Sequence, residues 1–100
     1  MSTLDPVIHT PARLQIAATL AQLPVGDSLA FTRLQKELSM TAGNLSTHIH
    51  KLENARYVEV TKTYEGRSPV TYLALSTSGR GALETYTRQM REILTKGSPE

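Results

Sequence analysis

The sequence contains no cysteine, which removes disulfide staples, thiolate zinc ribbons, thiol redox chemistry and a cysteine nucleophile at once. No apolar run approaches the roughly 20 residues needed to span a bilayer. The start, Met1-Ser-Thr-Leu-Asp-Pro6, has neither a basic segment nor an apolar stretch, so no signal peptide is expected and the protein is read as cytoplasmic. Neither sign of charge dominates. Eleven Lys and Arg face nine Asp and Glu, a net of +2, which excludes a polybasic tail or an acidic solvating segment but leaves room for a locally basic face. Catalytic signatures are missing too. There is no glycine loop for phosphates, no HExxH and no GxSxG. Ser46 and His48 lie two apart, and such residues do not face each other on a helix. No enzyme activity, catalytic residue, cofactor or metal is therefore expected.

What is present fits one domain, residues 1–100, since chains split only near 250–300 residues by the roughly constant size of a single core. Thr10-Pro11 reads as the cap and first position of a helix, followed by Leu14, Ala17, Ala18, Leu20 and Ala21 at helical spacing and a stop at Leu23-Pro24-Val25-Gly26-Asp27. Ser28–Phe31 is a short unassigned piece. Thr32-Arg33-Leu34-Gln35 has the form of a capping box, opening a two-turn helix that ends at Ser39-Met40. Thr41 caps the next helix, which runs to about Asn54 with Leu45, Ile49 and Leu52 on one face. Two helices joined by about three residues make a helix-turn-helix, over about 32–55.

The period then changes from helical to alternating. Tyr57–Tyr64 is rich in β-branched and aromatic residues, Glu65–Pro69 is a turn, and Val70–Leu75 returns. This hairpin, about 57–76, has the order and basic tip of a wing. Ser76 or Thr77 caps a last helix over about 78–95, and Lys96–Glu100 reads as a frayed tail. The expected fold class is α+β and mostly helical, a winged helix-turn-helix with a three-helix core, a β-hairpin wing and a long C-terminal helix.

Three segments resemble the MarR/ArsR-like winged-helix transcriptional regulators, in particular their small single-domain members. Thr41–Val58 matches the recognition-helix pattern Leu-Ser-x-His-x-x-x-Leu-Glu. Gly66-Arg67-Ser68-Pro69-Val70-Thr71 resembles the wing, and Leu75-Ser76-Thr77-Ser78-Gly79-Arg80 the start of the last helix. One departure stands out, since the family usually has glycine where this chain has Arg56. Glycine takes the left-handed conformation at a helix end cheaply, whereas Arg56 adopts it at about 1 kcal/mol.

The charge balance supports a nucleic-acid reading once it is localised. Between Ala30 and Arg80, seven cations (Arg33, Lys36, Lys51, Arg56, Lys62, Arg67, Arg80) meet four carboxylates, a balance of +3, which leaves −1 for the remainder. Asn44, Thr47 and His50 are the base-edge candidates: Asn pairs bidentately with adenine, and Thr meets a thymine methyl or offers its hydroxyl. Thr41, Ser46 and Lys51 suit phosphates, Arg33 is a further cation of the unit, and Lys62 suits the flanking backbone. Arg67 at the hairpin tip suits a narrow minor groove. His48 and His50 point about 200° apart on a helix and cannot chelate one ion together, so His48 is expected to be partly buried and hydrogen-bonded. His9 carries no signal.

Leu83, Tyr86, Met90 and Ile93, joined by Leu94, follow the seam spacing of a coiled coil, although packing on the chain's own domain is the other use for such a stripe. With Leu4, Val7 and Ile8 they form the expected dimer interface, a two-fold pairing that the resemblance also implies. The sequence thus points to a homodimer that binds double-stranded operator DNA and regulates transcription, with repression the mode the resemblance implies. A winged-helix module that grips a protein partner without DNA is the alternative. A small-molecule effector is left open with no residue assigned to it.

Overall fold

The alternation of helical and two-residue periods resolves into seven elements in the computed structural model, which describes residues 3–96. They are α1 (Pro11–Ala21), β1 (Leu29–Ala30), α2 (Phe31–Leu38), α3 (Ala42–Asn54), β2 (Val58–Glu65), β3 (Ser68–Leu75) and α4 (Thr77–Lys96). The tail expected after Lys96 lies outside the described residues, as do the first two residues of the chain. This is the winged helix-turn-helix read from the sequence, with a third strand that the sequence pattern did not reveal.

The helix ends follow local chemistry in some places and tertiary demand in others. Thr41 caps α3 as expected, its Oγ1 accepting from the Asn44 N–H at 3.1 Å. Ser76 caps α4 by accepting from the Gly79 N–H at 2.9 Å. Thr10 stands at the start of α1 without capping it, because its hydroxyl oxygen is taken by Arg13 Nη2 at 2.8 Å. The capping box at Thr32 does not form. Helix α2 begins two residues earlier than that cap would place it, at Phe31, after Ala30 has been drawn into a strand, so Thr32 lies inside the helix and exposed. Two non-glycine residues, Ser39 (φ 53°) and Arg56 (φ 67°), take the left-handed conformation that ends α2 and α3. After α3 the Tyr57 N–H reaches back to the Leu52 carbonyl at 2.9 Å and the Arg56 N–H to the Glu53 carbonyl at 2.9 Å, which satisfies two of the helix's open acceptors.

The sheet is antiparallel with β3 in the centre, β1 on one side and β2 on the other. Only Gly66 and Arg67 are left as turn, since Glu65 pairs with Ser68 and Tyr64 with Pro69, so the strands run farther than the sequence pattern suggested. Gly66 at φ 65° supplies the backbone such a two-residue turn needs. The ladder places Pro69 where its nitrogen faces away from β2, at an edge that β1 does not reach, so no hydrogen bond is lost.

Ile16, Ala17 and Leu20 of α1, Leu34 of α2, Leu45, Ile49 and Leu52 of α3, and Val58, Leu73 and Leu75 of the sheet form the core. The buried stripe of α1 is therefore carried by Ile16 and Leu20, and Leu14 sits half-buried on an outer face. Truncating one of the fully buried leucines to alanine would cost about 2–5 kcal/mol. Helix α4 crosses close to the end of α3: a Cβ added to Gly79 would lie 2.2 Å from the Tyr57 carbonyl oxygen. Arg80 completes the crossing by donating to the Ala21 and Leu23 carbonyls at 3.2 and 3.0 Å, closing the C-terminus of α1.

The hydrophobic residues expected at an interface between copies divide into two groups. Ile8 is fully buried in its own chain, and Tyr86 is 5% exposed with its hydroxyl hydrogen-bonded to His9 Nδ1 at 2.9 Å. Neither is available to a partner. His9, which carried no signal in the sequence, thus ties the N-terminal segment to α4. Val7 and Leu83 pack half-buried against the core and Leu4 is half-buried, whereas Ile93 (48% exposed) and Leu94 (72%) project from the last turns of α4. Met90, Leu94 and Leu14 line an open groove of about 450 Å³ between α4 and α1. Among the described residues no helix is long and apolar enough to cross a membrane.

Candidate nucleic-acid interface

Helix α3 buries Leu45, Ile49 and Leu52, and a turn of about 100° per residue then assigns every other side chain to a sector. Thr47 and His50 stand on the outward ridge, and with them Gly43 and Asn54, which the sequence reading did not single out; all four are exposed. Asn44 and Lys51 flank the ridge on the side of α1. Ser46 and Glu53 flank it on the side of the wing.

Local bonds limit what these groups can offer. The Thr47 hydroxyl donates to the Gly43 carbonyl at 3.0 Å, so its methyl and its acceptor lone pairs remain for a ligand. Thr41 uses Oγ1 as an acceptor in the cap, which leaves its O–H free to donate outward beside the positive end of the helix. Asn44, Ser46, His50 and Lys51 are exposed. On α2, Arg33 is paired with Glu37 at 3.3 Å, and an exposed pair of this spacing contributes only about 0.3–0.5 kcal/mol.

The hairpin sorts its charges by face. Residues 58, 60, 62 and 64 of β2 share the inner face, where Val58 and Val60 meet the core and Lys62 and Tyr64 continue outward. Glu59 and Glu65 alternate onto the outer face, where Glu65 accepts a hydrogen bond from the Tyr72 hydroxyl. That bond holds the Tyr72 phenol above its ordinary pKa, the neighbouring carboxylate disfavouring a phenolate. Lys62, paired with Thr71, lies in a recess of about 320 Å³ between α3 and the sheet, lined also by Ser46, His50 and Glu53. It is therefore beside the ridge of α3. Arg67 is exposed at the tip. Tyr64, 71% exposed on the same inner face, is a further candidate that sequence reasoning missed; strand alternation with Lys62 was the signal that could have found it.

His48 departs from its neighbours by facing α1. Its Nδ1 accepts from Arg13 Nη1 at 3.2 Å, which fixes the neutral ring with its proton on Nε2. Burial holds its pKa below the usual histidine value, with Arg13 and Lys51 acting in the same direction. This is the partly buried, hydrogen-bonded histidine expected from the sequence. Arg80, counted among the cations of the reading unit, is instead used on the end of α1, so the positive balance near α3 and the wing rests on Lys51, Arg56, Lys62 and Arg67.

Relatives place this arrangement. An uncharacterised protein of Methanocaldococcus jannaschii is 28% identical over 87 residues, covering 87% of this chain and 91% of that one. The solved structure of a transcriptional regulator homologue protein from Pyrococcus horikoshii OT3 is similar with a TM-score of 0.82 and 26% identity, over 90% of this chain and 86% of the other. AbsC, a MarR family transcriptional regulator from Streptomyces coelicolor, shares the fold with a TM-score of 0.69 at 20% identity, over 96% of this chain and 67% of its own. The resemblance to the MarR/ArsR regulators holds at the level of the fold. Residues 12–94, from the first turn of α1 to the last turn of α4, match the model of one family, and on that match the chain belongs to the winged helix DNA-binding domain family.

Proposed function

We propose that the protein is a homodimeric, sequence-specific regulator of transcription that docks α3 in the major groove of double-stranded DNA and lays the wing beside it. The whole chain acts as one domain in this reading. The observation that carries it is the coincidence of two faces: the polar ridge of α3 (Thr47 and His50, flanked by Asn44) and the inner face of the wing, which bears Lys62 and Tyr64 while both hairpin carboxylates turn outward. Asn44, Thr47 and His50 then meet base edges, and Thr41, Ser46 and Lys51 hold phosphates. Lys62 contacts the backbone from the recess, Arg33 adds a cation once it leaves Glu37, and Arg67 enters the minor groove. A protein with this target works in the cytoplasm of a bacterium or archaeon, and repression by covering a promoter is the mode the MarR/ArsR resemblance favours.

The exposed end of α4 supports the dimer. Ile93 and Leu94 project into solvent beside the groove of Leu14 and Met90, and two copies packed there cover this apolar surface, with half-buried Leu83, Val7 and Leu4 as further members of the proposed interface. A two-fold pair sets two α3 helices into successive major grooves, about 34–36 Å apart.

Selection of bound fragments from random duplexes, followed by gel shifts over a salt series, tests the reading. Specific binding that weakens by about three to five decades between 50 and 200 mM salt is expected if six to ten phosphates are neutralised. Absence of binding to every duplex at low salt would refute it.

A further inference from the structure

The stretch before α1 is bonded to three other elements, although nothing in its own sequence marks it as more than a lead-in. Asp5 accepts from the Val7 N–H at 2.9 Å and closes a turn by accepting the His9 N–H on its carbonyl at 2.7 Å. Its carboxylate takes the Tyr57 hydroxyl at 2.5 Å, and Tyr57 is the residue whose N–H closes the end of α3. Ile8 is fully buried beneath the turn, and His9 is bonded to Tyr86 of α4. Arg13 then reads this segment from α1. Its guanidinium donates to the Val7 carbonyl at 2.6 Å, to Thr10 Oγ1 at 2.8 Å and to His48 Nδ1 at 3.2 Å. One planar fork therefore joins the N-terminal strap, α1 and the middle of α3, while Asp5 and Tyr57 fix the far end of the same helix.

His48 sits one residue from Thr47 and two from His50, on the side of α3 turned away from the wing. A hydrogen bond at this point adds to the hold that buried Leu45, Ile49 and Leu52 already have on the rotation of α3 about its own axis. A rotation of even 20° swings outward side chains sideways by about 2 Å at the radius of a helix surface, more than the tolerance of a base-edge hydrogen bond. We infer that Arg13 and His48 are positioning residues for the reading helix: their contact, backed by the N-terminal strap, holds the ridge of Thr47 and His50 at the angle that base reading requires. The inference rests on the DNA reading proposed above. It concerns residues that touch no base themselves, and it separates sequence-specific binding, which needs the angle, from phosphate binding, which does not.

The contact is also sensitive to protonation. The neutral ring accepts from Arg13, whereas a protonated ring has no lone pair to offer and faces two cations, Arg13 of α1 and Lys51 of α3. The remaining titratable groups of the strap are already engaged, Asp5 by Tyr57 and His9 by Tyr86. The folded state holds the His48 pKa below its ordinary 6.5, so the contact is intact above that value and is lost as pH falls through the lowered one.

The test compares the full chain with its His48→Leu, His48→Asn and Arg13→Lys variants. Each is bound to a selected duplex and to a scrambled duplex of equal length, at pH about 7.5 and about 5.5. Asn Oδ1 replaces His Nδ1 as the acceptor and does not titrate, so His48→Asn is expected to keep the preference for the selected duplex. His48→Leu is expected to lose about fivefold or more of that preference, the share of one base contact, while affinity for the scrambled duplex stays the same. Arg13→Lys, which keeps charge but loses the fork, is expected to fall between. Acid should lower the preference of the native chain more than that of His48→Asn, and because His50 is present in both, the difference reports His48 alone. A native preference that survives in His48→Leu overturns the positioning role and leaves the DNA reading standing. Should His48→Leu fail to fold, a native preference that survives undiminished in Arg13→Lys, which loses the fork, overturns it instead. A native chain that prefers no duplex overturns the DNA reading, and this inference with it.

Discussion

Replacing Gly79 by alanine adds one methyl group at the tightest crossing in the molecule. The new Cβ would stand 2.2 Å from the Tyr57 carbonyl oxygen and 2.9 Å from Leu75 Cδ1. An ordinary carbon–oxygen contact is about 3.3–3.6 Å, so α4 or the start of β2 must retreat by more than 1 Å. The leucine tip can rotate away, but the carbonyl cannot, because it accepts the Ser76 N–H at 2.9 Å. Moving α4 also strains the cap, in which Ser76 Oγ accepts from Gly79 and donates to the Arg56 carbonyl at 2.6 Å. Overpacking of this kind costs about 1–3 kcal/mol and a weakened cap about 0.5–2. The sum is about 1.5–5 kcal/mol, a large part of the 5–15 kcal/mol typical of a domain. At about 4–8 °C per kcal/mol the melting temperature should fall by at least about 6 °C. Gly81, two residues farther along α4 and on another face, is the control, since a Cβ there meets nothing within 4 Å. Gly81→Ala should stabilise by about 0.5–1 kcal/mol through helix propensity alone. Paired thermal and urea denaturation reads both. A Gly79→Ala variant as stable as the native chain would refute the close-approach argument.

Caps give a second contrast: Thr41→Ala should cost about 0.5–2 kcal/mol, and Thr32→Ala should stay within about 0.5, measured by urea denaturation. Lys62→Ala and Arg67→Ala should each weaken DNA binding, and Lys62→Ala should reduce the slope of log affinity against log salt by about 1, read from gel shifts. Ile93→Glu with Leu94→Glu should convert a dimer to a monomer in sedimentation at micromolar concentration without lowering the helix content by circular dichroism. A dimer that persists would move the interface elsewhere.

What the sequence made legible is what local chemistry decides. Thr41 and its apolar partners Leu45, Ile49 and Leu52 define α3 within one stretch of chain, and the alternation from Tyr57 onward defines the hairpin. The errors lie where a competing side chain or a distant segment intervenes. Thr10 has the composition of a cap, yet a guanidinium three residues on takes its oxygen. The capping box at Thr32 fails because Leu29 and Ala30 pair with Leu73 and Tyr72, more than forty residues away, and that pairing sets where α2 begins. Arg80 was counted in the positive balance of the reading unit, and only the fold brings the end of α1 to its guanidinium. His9 and Arg13 gave no signal because their partners, Tyr86 and His48, are 77 and 35 residues distant. Of the interface, the outward ridge of α3 was readable from helical period. The sorting of carboxylates to the outer face of the wing needed the exact strand register.

The shortness of β1 has a mechanical result. It grips β3 only at Leu73 and Tyr72, so Thr71 to Ser68 and their partners on β2 extend past the last lateral support. Four residues at about 3.3 Å each make a cantilever of about 13 Å, rooted beside Lys62 and carrying Tyr64 and Arg67 beyond the body of the domain. A beam clamped at one end bends most at its tip, and its deflection is not transmitted to the clamp. The wing can therefore follow grooves of different width while α3 keeps its seat, and amide exchange should be fast at the tip, slow at the root, and levelled when the tip is loaded.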